Sequence, residues 1–512
     1  MILLVHPPAV KPCEPPAGIA GIAAVLKASG IPVRIMDANL EGVLALLEKG
    51  ALPAAPEDDA WTRRARRLLP ENLNILRDPG GYRKAAEYRR AVSDLNRILE
   101  IASPPGTRAD LSNYRDETLS PLRSRDLLLS AAEPERNAFY PYFRGRLDEE
   151  IHGKGIRLVG FSLNYLSQAL TAFAMAGYVR SRYPETRLIF GGGLVTSWVR
   201  RSRDLSRLLD IADHLVAGPG EETVLRLCGG AGAQERRTAP DYSGFPLGRY
   251  LAPGRILPYS ASRGCYWRKC SFCPENAERQ PYQPVSDRNA LEEVSRAADG
   301  MAPMLIHFLD NAVRPSLLQA LVRRPPGVPW YGFARITDHL ARPDFCRDLR
   351  RSGCRMLQLG LESGDQRVLD ALGKGVDLQT ASLALKNLKE AGIATYVYLL
   401  FGTPEETEES ARRTLSFVAS HGDCIDFINA AIFNLPFAPG ETPESLATME
   451  FYDGDLSLYR NFIHPQGWDR KSVRRFLERE FGAHPAVRPI ILRDPPSFTS
   501  NHAPFFAVDR DM

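Results

Sequence analysis

The 512-residue sequence has little net charge and no long apolar segment. Its 65 Lys and Arg residues nearly balance 61 Asp and Glu residues, which leaves a net charge of +4. So weak a charge gives no broad electropositive surface, and we expect no nucleic-acid partner. No apolar run reaches the roughly 18 residues that cross a bilayer. The apolar start, Met1 to Val5, runs into His6 and two prolines without the basic region of a signal peptide. We therefore expect a cytoplasmic protein without a membrane span.

Cysteine is scarce, and most of the eight cysteines stand alone. So few cysteines do not form the disulfide framework of a secreted protein, and a reducing compartment is expected. Three of the eight, in contrast, fall within nine residues of one another, at Cys265, Cys270 and Cys273. The other five are scattered along the chain: Cys13, Cys228, Cys346, Cys354 and Cys424.

The segment from Ser260 to Pro274 holds these three clustered cysteines. Three thiolates at short spacing, beside glycine and aromatic residues, suit a [4Fe–4S] cluster in which one iron lacks a protein ligand. A zinc site is the alternative, but structural zinc takes four ligands, and the nearest downstream histidine is His307. We therefore predict that the cysteines bind an iron–sulfur cluster whose open iron accepts another ligand.

Strand and helix patterns predict a doubly wound, Rossmann-like α/β domain for residues 1–228. Strand-like runs such as Leu3–Val5 and Val33–Asp37 alternate with helical patterns. Domains of this kind bind ligands at the carboxyl ends of their strands. Residues 41–150, rich in Arg, Glu, Leu and Ala, interrupt the alternation and are predicted to be a helical insertion. Residues 229–255 begin rich in glycine and polar residues and are the predicted linker.

A second α/β unit is predicted for residues 256–445. Six apolar strand-like segments separated by helical patterns predict a partial or complete parallel barrel. The clustered cysteines follow the first of these strands, which places them at the carboxyl-end face. Residues 446–512 lose the alternation and are predicted to be a mostly helical C-terminal extension. In it, Asp469 caps a helix and an aromatic tail packs against the barrel.

Three segments together resemble the radical SAM superfamily. They are the cysteine loop after the first barrel strand, Leu357–Gly364 (LQLGLESG) and Tyr396–Thr407 (YVYLLFGTPEET). The resemblance covers residues 256–445. The usual spacing in that superfamily is Cys-x3-Cys-x2-Cys, whereas this sequence has Cys-x4-Cys-x2-Cys. The additional residue still leaves three thiolates available to a cluster.

The N-terminal half resembles the cobalamin-binding domain that precedes the barrel in one branch of this superfamily. The matching pieces are His6–Pro8, Gly160–Ser167, Phe190–Gly193 and Gly218–Glu221. The Asp-x-His-x-x-Gly signature, which supplies a histidine to cobalt in other cobalamin proteins, is missing, as it is in many members of this branch. By this resemblance, the residues expected around cobalamin are Ser162, Asn164, Tyr165, Leu166, Gly192, Gly193, Gly218 and Glu221.

The resemblance also implies that S-adenosylmethionine chelates the open iron. The reduced cluster then cleaves it to a 5′-deoxyadenosyl radical, while the protein orients the cofactors and excludes water. The Gly-Gly-Glu that the family places after the second barrel strand is absent, and Asp310 and Asn311 stand there. Phe437 and Phe272 are candidates for flanking the adenine. The full set expected to contact S-adenosylmethionine is Phe272, Asp310, Asn311, Arg335, Glu362, Ser363, Gly402, Thr403 and Pro404.

Four functions follow as hypotheses. The first is cobalamin-dependent methylation of an unactivated centre, and the second is radical SAM oxidation or rearrangement without bound cobalamin. The third, an RNA methylthiotransferase, needs a second cluster, yet only Cys13 and Cys228 precede Cys265. The fourth is a non-catalytic metal-binding interaction protein, which a six-stranded barrel with glycine turns disfavours. For the first two we expect a small-molecule or peptide substrate and an electron donor such as flavodoxin or ferredoxin.

Overall fold

The computed structural model describes residues 1–52, 58–201, 204–230, 238–436, 446–449, 454–495 and 502–507. The chain starts with a strand–helix–strand unit, β1 (Ile2–Val5), α1 (Ala17–Ala28) and β2 (Val33–Met36). All four residues of β1 are buried because β1 pairs in parallel with a strand on each side. A strand enclosed in this way is apolar throughout, as in other parallel sheets.

The predicted insertion is a helical layer with one hairpin. It starts where Asp37 accepts a hydrogen bond from the backbone N–H of Leu40, which caps the first helix. Tyr88, Val92, Leu95 and Leu99 follow the helical period on the longest helix and are fully buried. The elements are α2 (Ala38–Gly50), α3 (Ala60–Arg67), α4 (Leu69–Arg77), α5 (Pro79–Arg83), α6 (Ala85–Ala102), β3 (Thr107–Ala109), β4 (Tyr114–Asp116), α7 (Ser124–Ala132) and α8 (Tyr140–Ile151).

After the insertion the chain returns to the first sheet. The strand order is β2-β1-β5-β6-β7, and every pair is parallel. Because the order reverses between β1 and β5, the crevice of this doubly wound sheet lies at their carboxyl ends. The remaining elements are β5 (Leu158–Ser162), α9 (Leu166–Arg182), β6 (Arg187–Gly191), α10 (Gly193–Arg201), β7 (His214–Leu215) and α11 (Glu221–Leu227). The predicted α/β domain is confirmed.

The second half forms the predicted partial barrel. Six parallel strands follow one another in chain order, and the first and last are the two edges of the sheet. The elements are β8 (Ile256–Tyr259), β9 (Ser262–Arg263), α12 (Pro274–Ala277), β10 (Gln283–Pro284), α13 (Asp287–Met301), β11 (Leu305–Phe308), α14 (Pro315–Arg323), β12 (Trp330–Ala334), α15 (Pro343–Arg351), β13 (Cys354–Glu362), α16 (Gln366–Ala371), α17 (Leu378–Glu390), β14 (Ala394–Phe401), α18 (Glu408–Ser420) and β15 (Phe427–Ile432).

The C-terminal extension packs on the barrel. The Asp469 carboxylate accepts from the Ser472 N–H, which confirms the predicted cap. The described part of the tail, residues 502–507, places His502 against Tyr396 and Phe427, with ring centres 4.6 and 4.4 Å apart. The elements are β16 (Leu435–Pro436), β17 (Thr448–Met449), β18 (Tyr459–Phe462), α19 (Arg470–Phe476), a π-helix (Leu477–Phe481), α20 (Arg488–Arg493) and α21 (Pro504–Ala507).

The described part of the chain has no helix that is long and apolar enough to span a bilayer. The domain boundaries at 228, 255 and 445 stay predictions. Two tyrosines of the predicted linker are buried and anchor it, because the Tyr250 hydroxyl donates to Asp37 and the Tyr242 hydroxyl donates to the Pro258 carbonyl.

Candidate functional site

The loop with Cys265, Cys270 and Cys273 leaves the carboxyl end of the first barrel strand and rests on a turn after α16. The Ser271 N–H donates to the Leu372 carbonyl at 3.0 Å, and the Trp267 indole N–H donates to the Gly373 carbonyl at 2.9 Å. We call residues 265–273 the cluster loop and residues 372–375 the supporting turn. Two backbone acceptors on one turn thus fix both ends of the span between Cys265 and Cys273.

Glycines in the supporting turn allow this close approach. Gly373 and Gly375 both have positive φ, 63° and 61°, a conformation that L side chains rarely adopt. A Cβ on Gly375 would overlap the Trp267 ring, and one on Gly373 would press on the Lys269 carbonyl. The supporting turn therefore needs glycine at both positions to hold the cluster loop in place.

Positive charge surrounds one of the three thiols. The Arg335 Nη1 lies 3.9 Å from Cys270 Sγ, and the Arg335 guanidinium carbon lies 4.1 Å from the Trp267 ring centre. Burial raises the pKa of the Cys270 thiol, whereas Lys374 and Arg335 lower it. The two cations therefore offset part of the effect of burial, which dominates and keeps the pKa of this thiol above its ordinary value; the thiolate is the form that binds metal.

Backbone amides favour the thiolate at Cys273. Burial raises the pKa of this thiol, while the N–H groups of Asn276 and Glu275 at the start of α12 lower it. Among the residues that the structure describes, no three His, Cys, Asp or Glu side chains converge closely enough to hold a single metal ion. In a [4Fe–4S] cluster each thiolate binds a different iron, and the thiols of Cys265, Cys270 and Cys273 are free and partly exposed.

Several residues predicted to contact S-adenosylmethionine lie around the cluster loop. Arg335 contacts Cys270, as described above. The Glu362 carboxylate forms an ion pair with Lys374 Nζ at 2.7 Å, and both side chains are nearly buried. The ring of Phe272 has Lys374 Nζ 5.7 Å from its centre. Lys374 is the residue at this centre that the sequence analysis missed, although the flanking glycines of its Leu-Gly-Lys-Gly segment were a visible turn signal.

Two other predicted residues use their polar atoms elsewhere. Buried Asp310 accepts from the Ala261 N–H and the Ser262 hydroxyl, which braces the start of the cluster loop. Ser363 is fully buried and its hydroxyl bonds with Thr414 of α18. Asn311, in contrast, is exposed and lines a cavity described below. Phe437 lies outside the described residues.

The loop after β14 carries the remaining three predicted residues, Gly402, Thr403 and Pro404. The Gly402 N–H and the Trp468 indole N–H both donate to the buried carboxyl of Glu406. Burial raises the pKa of Glu406 to about 7, although these two donors lower it. The C-terminal extension is thereby fastened to the loop on which adenosine is expected.

A cavity of about 340 Å³ lies between the first sheet and the barrel. Its floor is the crevice at the carboxyl ends of β1 and β5, and glycine is frequent there. A Cβ on Gly192 would overlap the Leu163 backbone, and its φ is 101°. The eight glycines that line it are Gly18, Gly160, Gly191, Gly192, Gly193, Gly218, Gly220 and Gly264.

Six of the eight residues predicted around cobalamin line this cavity: Ser162, Asn164, Gly192, Gly193, Gly218 and Glu221. The other two lie beside it in sequence, Tyr165 with 61% of its surface exposed and Leu166 partly buried. The opposite wall comes from the barrel side, with Ser262, Arg263 and Glu275. One cavity therefore joins the glycine-lined crevice to the flanks of the cluster loop.

A buried polar set inside the barrel was not anticipated from the sequence. The Glu14 carboxylate, on the loop after β1, lies 2.8 Å from His307 Nδ1 on β11. The His307 ring stacks on Tyr331 of β12 at 4.3 Å between centres, and the buried Tyr331 hydroxyl has no hydrogen-bond partner among the residues that the structure describes. Gln358 on β13 donates to the Tyr398 hydroxyl at 3.1 Å, and its Oε1 has no partner in the described part of the chain.

Comparisons with known proteins agree with this fold. Residues 259–418 match the radical SAM superfamily. The chain is 25% identical over 188 residues to an uncharacterised methyltransferase of Pyrococcus horikoshii, a match that covers 35% of this chain and 40% of that protein. It is 27% identical over 191 residues to the bacteriochlorophyllide d C-12(1)-methyltransferase of Chlorobaculum tepidum, covering 35% of this chain and 41% of that protein. The matched parts are thus less than half the length of either relative.

A solved structure resembles nearly the whole chain. It is the radical S-adenosylmethionine methyltransferase TsrM of Kitasatospora setae, solved with cobalamin and a [4Fe–4S] cluster bound. The alignment covers 90% of this chain and 87% of that protein, with a TM-score of 0.51 and 16% identity, which shows a shared fold. Residues 259–418 therefore form a radical SAM domain, and the fold of the chain is that of a solved radical S-adenosylmethionine methyltransferase.

Proposed function

We propose that this protein uses a [4Fe–4S] cluster, S-adenosylmethionine and cobalamin to methylate an unactivated centre. One observation carries the proposal: a single cavity is lined on one side by the glycines of the first sheet and on the other by residues that flank the cluster loop. A group bound in the crevice would therefore lie close to the segments on either side of the cluster loop. The methyltransferase names of two relatives and of the solved neighbour support the same assignment.

Cys265, Cys270 and Cys273 would hold the cluster. Their thiols are free. Burial raises the pKa of the Cys270 and Cys273 thiols, and the nearby cations and backbone amides offset part of this effect. Three ligands leave one iron of a [4Fe–4S] cluster open. Arg335, Glu362 and the Gly402–Pro404 loop would then orient S-adenosylmethionine, and the Arg335–Trp267 contact would keep water from one side of the cluster.

The glycine-lined crevice would hold cobalamin. Gly192 and Gly193 line the crevice without a side chain, and Asn164 Oδ1 accepts a hydrogen bond from the Gly193 N–H at 2.9 Å, which fixes the backbone at this edge of the crevice. The residues that would surround its nucleotide portion are Ser162, Asn164, Gly192, Gly193, Gly218 and Glu221. Tyr165 or Leu166 would lie near the corrin. Because the sequence lacks the Asp-x-His-x-x-Gly signature, no histidine is among the residues that would hold cobalamin.

When bound, the cluster and S-adenosylmethionine supply a radical, and cobalamin supplies the methyl group. The residues of the barrel interior would orient the substrate. His307 is held by Glu14 and stacked on Tyr331, so its ring has one orientation. The unpartnered Tyr331 hydroxyl and Gln358 Oε1 would pair with polar groups of a small-molecule or peptide substrate, since buried polar atoms are normally satisfied. An electron donor such as flavodoxin or ferredoxin completes the proposal.

The experiment that tests this function is anaerobic reconstitution with iron and sulfide in the presence of hydroxocobalamin. Iron, sulfide and cobalt are then counted per chain. About four irons and one cobalt support the proposal. Four irons without cobalt would overturn the cobalamin part and favour radical SAM oxidation or rearrangement. One zinc without sulfide would favour a non-catalytic metal-binding protein.

A further inference from the structure

We propose that Arg201 and Glu278 position the segment after the cluster cysteines so that the cluster loop and the glycine-lined crevice are coupled. This inference rests on the proposed function, since it takes the cluster and cobalamin as the two occupants. Arg201 is the last residue of α10 in the first domain, and Glu278 follows α12 in the barrel half. Arg201 Nη2 lies 2.7 Å from Glu278 Oε1, and the side chains are 2% and 6% exposed.

Several hydrogen bonds surround this ion pair. The Ser197 hydroxyl donates to Glu278 Oε1 at 2.6 Å, and Arg200 Nη1 donates to the Glu278 carbonyl at 3.2 Å. Arg201 itself donates to the Pro274 carbonyl at 3.3 Å, one residue beyond Cys273. Its Nη1 donates to the Leu458 carbonyl at 2.9 Å. The pair therefore joins three parts of the molecule: the first domain, the cluster segment and the C-terminal extension.

The two ends of α10 face the two regions that the proposed cofactors would occupy, the glycine-lined crevice and the segment after Cys273. Its first turn, with Gly193 and Thr196, lines the cavity at the crevice, and the Thr196 hydroxyl accepts from the Gly218 N–H at 2.9 Å. Its last turn, with Ser197, Arg200 and Arg201, holds residues 274–278. A rigid helix of nine residues thus connects a ligand in the crevice to the backbone beside Cys273.

A buried ion pair is costly to desolvate, and hydrophobic replacements are often as stable. Stability alone therefore does not account for this pair. Coupling between two sites is reciprocal and typically amounts to about 5- to 150-fold in affinity. If α10 couples the sites, the assembled cluster will tighten cobalamin binding, and the effect will depend on the Arg201–Glu278 pair.

The test measures the dissociation constant of hydroxocobalamin for the full chain, by absorbance after equilibrium dialysis, with and without the reconstituted cluster. In the wild type we expect the cluster to tighten binding about fivefold or more. The Arg201→Met/Glu278→Leu double variant leaves no unpaired charge. For this variant we expect the ratio of the dissociation constants without and with the cluster to be near one. The matched control is Arg351→Met/Asp348→Leu, a pair exposed on α15, which should keep the wild-type ratio.

The outcomes separate the two proposals. Equal affinity with and without the cluster in the wild type would overturn the coupling alone. The coupling would also be overturned if the double variant kept the wild-type ratio of dissociation constants, because the Arg201–Glu278 pair would then be purely structural. No cobalamin binding by the wild type in either form would overturn both the cofactor assignment and the coupling. Should the double variant not fold, Glu278→Gln replaces it and is expected to reduce the ratio.

Discussion

The guanidinium group of Arg335 lies 3.9 Å from the Sγ of Cys270. The same group stacks over Trp267 of the cluster loop and donates to the Lys374 carbonyl of the supporting turn. Arg335 directly follows β12, so a rigid strand end presents the charge. One side chain thus supplies positive charge to a predicted cluster ligand and joins the cluster loop to the turn beneath it.

Replacing Arg335 by methionine is expected to lower the reduction potential of the reconstituted cluster. The reduced cluster carries one more negative charge, and the nearby cation stabilises it. A unit charge about 6 Å away at an effective dielectric constant of about 20 corresponds to roughly 100 mV. Redox titration followed by electron paramagnetic resonance measures the shift. Arg335→Lys keeps the charge and should stay closer to the wild type, whereas an unchanged potential in the methionine variant would refute the electrostatic role.

Single alanine substitutions at Cys265, Cys270 and Cys273 should each abolish cluster assembly and S-adenosylmethionine cleavage. Each removes one of three thiolate ligands, and two ligands do not hold a [4Fe–4S] cluster of this kind. Iron content and product analysis under anaerobic conditions measure both effects. Cys424→Ala is the control, because this half-buried cysteine lies in a short turn just before β15. Full cleavage in any of the three variants would show that the cluster assignment is wrong.

Substituting Gly375 by alanine should loosen the cluster loop. The new Cβ would overlap the Trp267 ring, and the residue has φ of 61°. Overpacking costs about 1–3 kcal/mol, to which strain at positive φ adds. We expect a lower thermal midpoint and reduced iron incorporation. Gly327→Ala is the matched control, since its φ of 73° is similar but a Cβ there meets nothing within 4 Å; equal losses in both variants would mean that packing on Trp267 does not matter.

Glu406 should make the protein less stable as the pH rises. The pKa of its buried carboxyl is raised from 4.5 to about 7, so the folded state holds a proton that the unfolded state releases. The contribution of protonated Glu406 to the free energy of unfolding is therefore fully present below about pH 4.5. It is lost as the pH rises to about 7, which lowers the free energy of unfolding by about 3 kcal/mol.

Glu406→Gln removes this titration while keeping an acceptor for Gly402 and Trp468. Thermal unfolding at pH 5 and pH 8 should therefore show the variant gaining stability over the wild type at the higher pH. The control is Glu408→Gln, because Glu408 lies exposed on the next helix. This substitution should not increase stability relative to the wild type at the higher pH. A wild type and a Glu406→Gln variant with parallel pH profiles would contradict the prediction.

The sequence predicts those features that depend on local pattern. The two α/β units follow from strand and helix periodicity, and the spacing of Cys265, Cys270 and Cys273 predicts their shared loop. The orientation of Ser363 does not follow from pattern, because a bulge between Gly360 and Glu362 shifts the strand register and Glu362 has φ of 68°. This irregularity turns Ser363 toward Thr414. A bulge has no unique sequence signal at this position.

Long-range pairs are the other features that the sequence could not predict. Glu14 and His307 are 293 residues apart, and Ser197 and Glu278 are 81 apart. Neither pair has a periodic signature, because each depends on how the first domain is placed on the barrel. The predicted cobalamin residues, in contrast, share the ends of neighbouring parallel strands, and the topology brings six of them to one cavity.

The packing of residues 502–507 affects how the chain matures. Phe505 contacts Tyr82 and Tyr88 of the insertion at 5.0 and 4.9 Å between ring centres, and Phe506 contacts Phe427 of the barrel. Contacts across more than 400 residues close late, since loop closure of that length is slow. During synthesis on the ribosome, the aromatic face of Tyr82 and Tyr88 therefore stays uncovered until residue 505 has emerged. Apolar surface that a nascent chain exposes in this way is prone to aggregation.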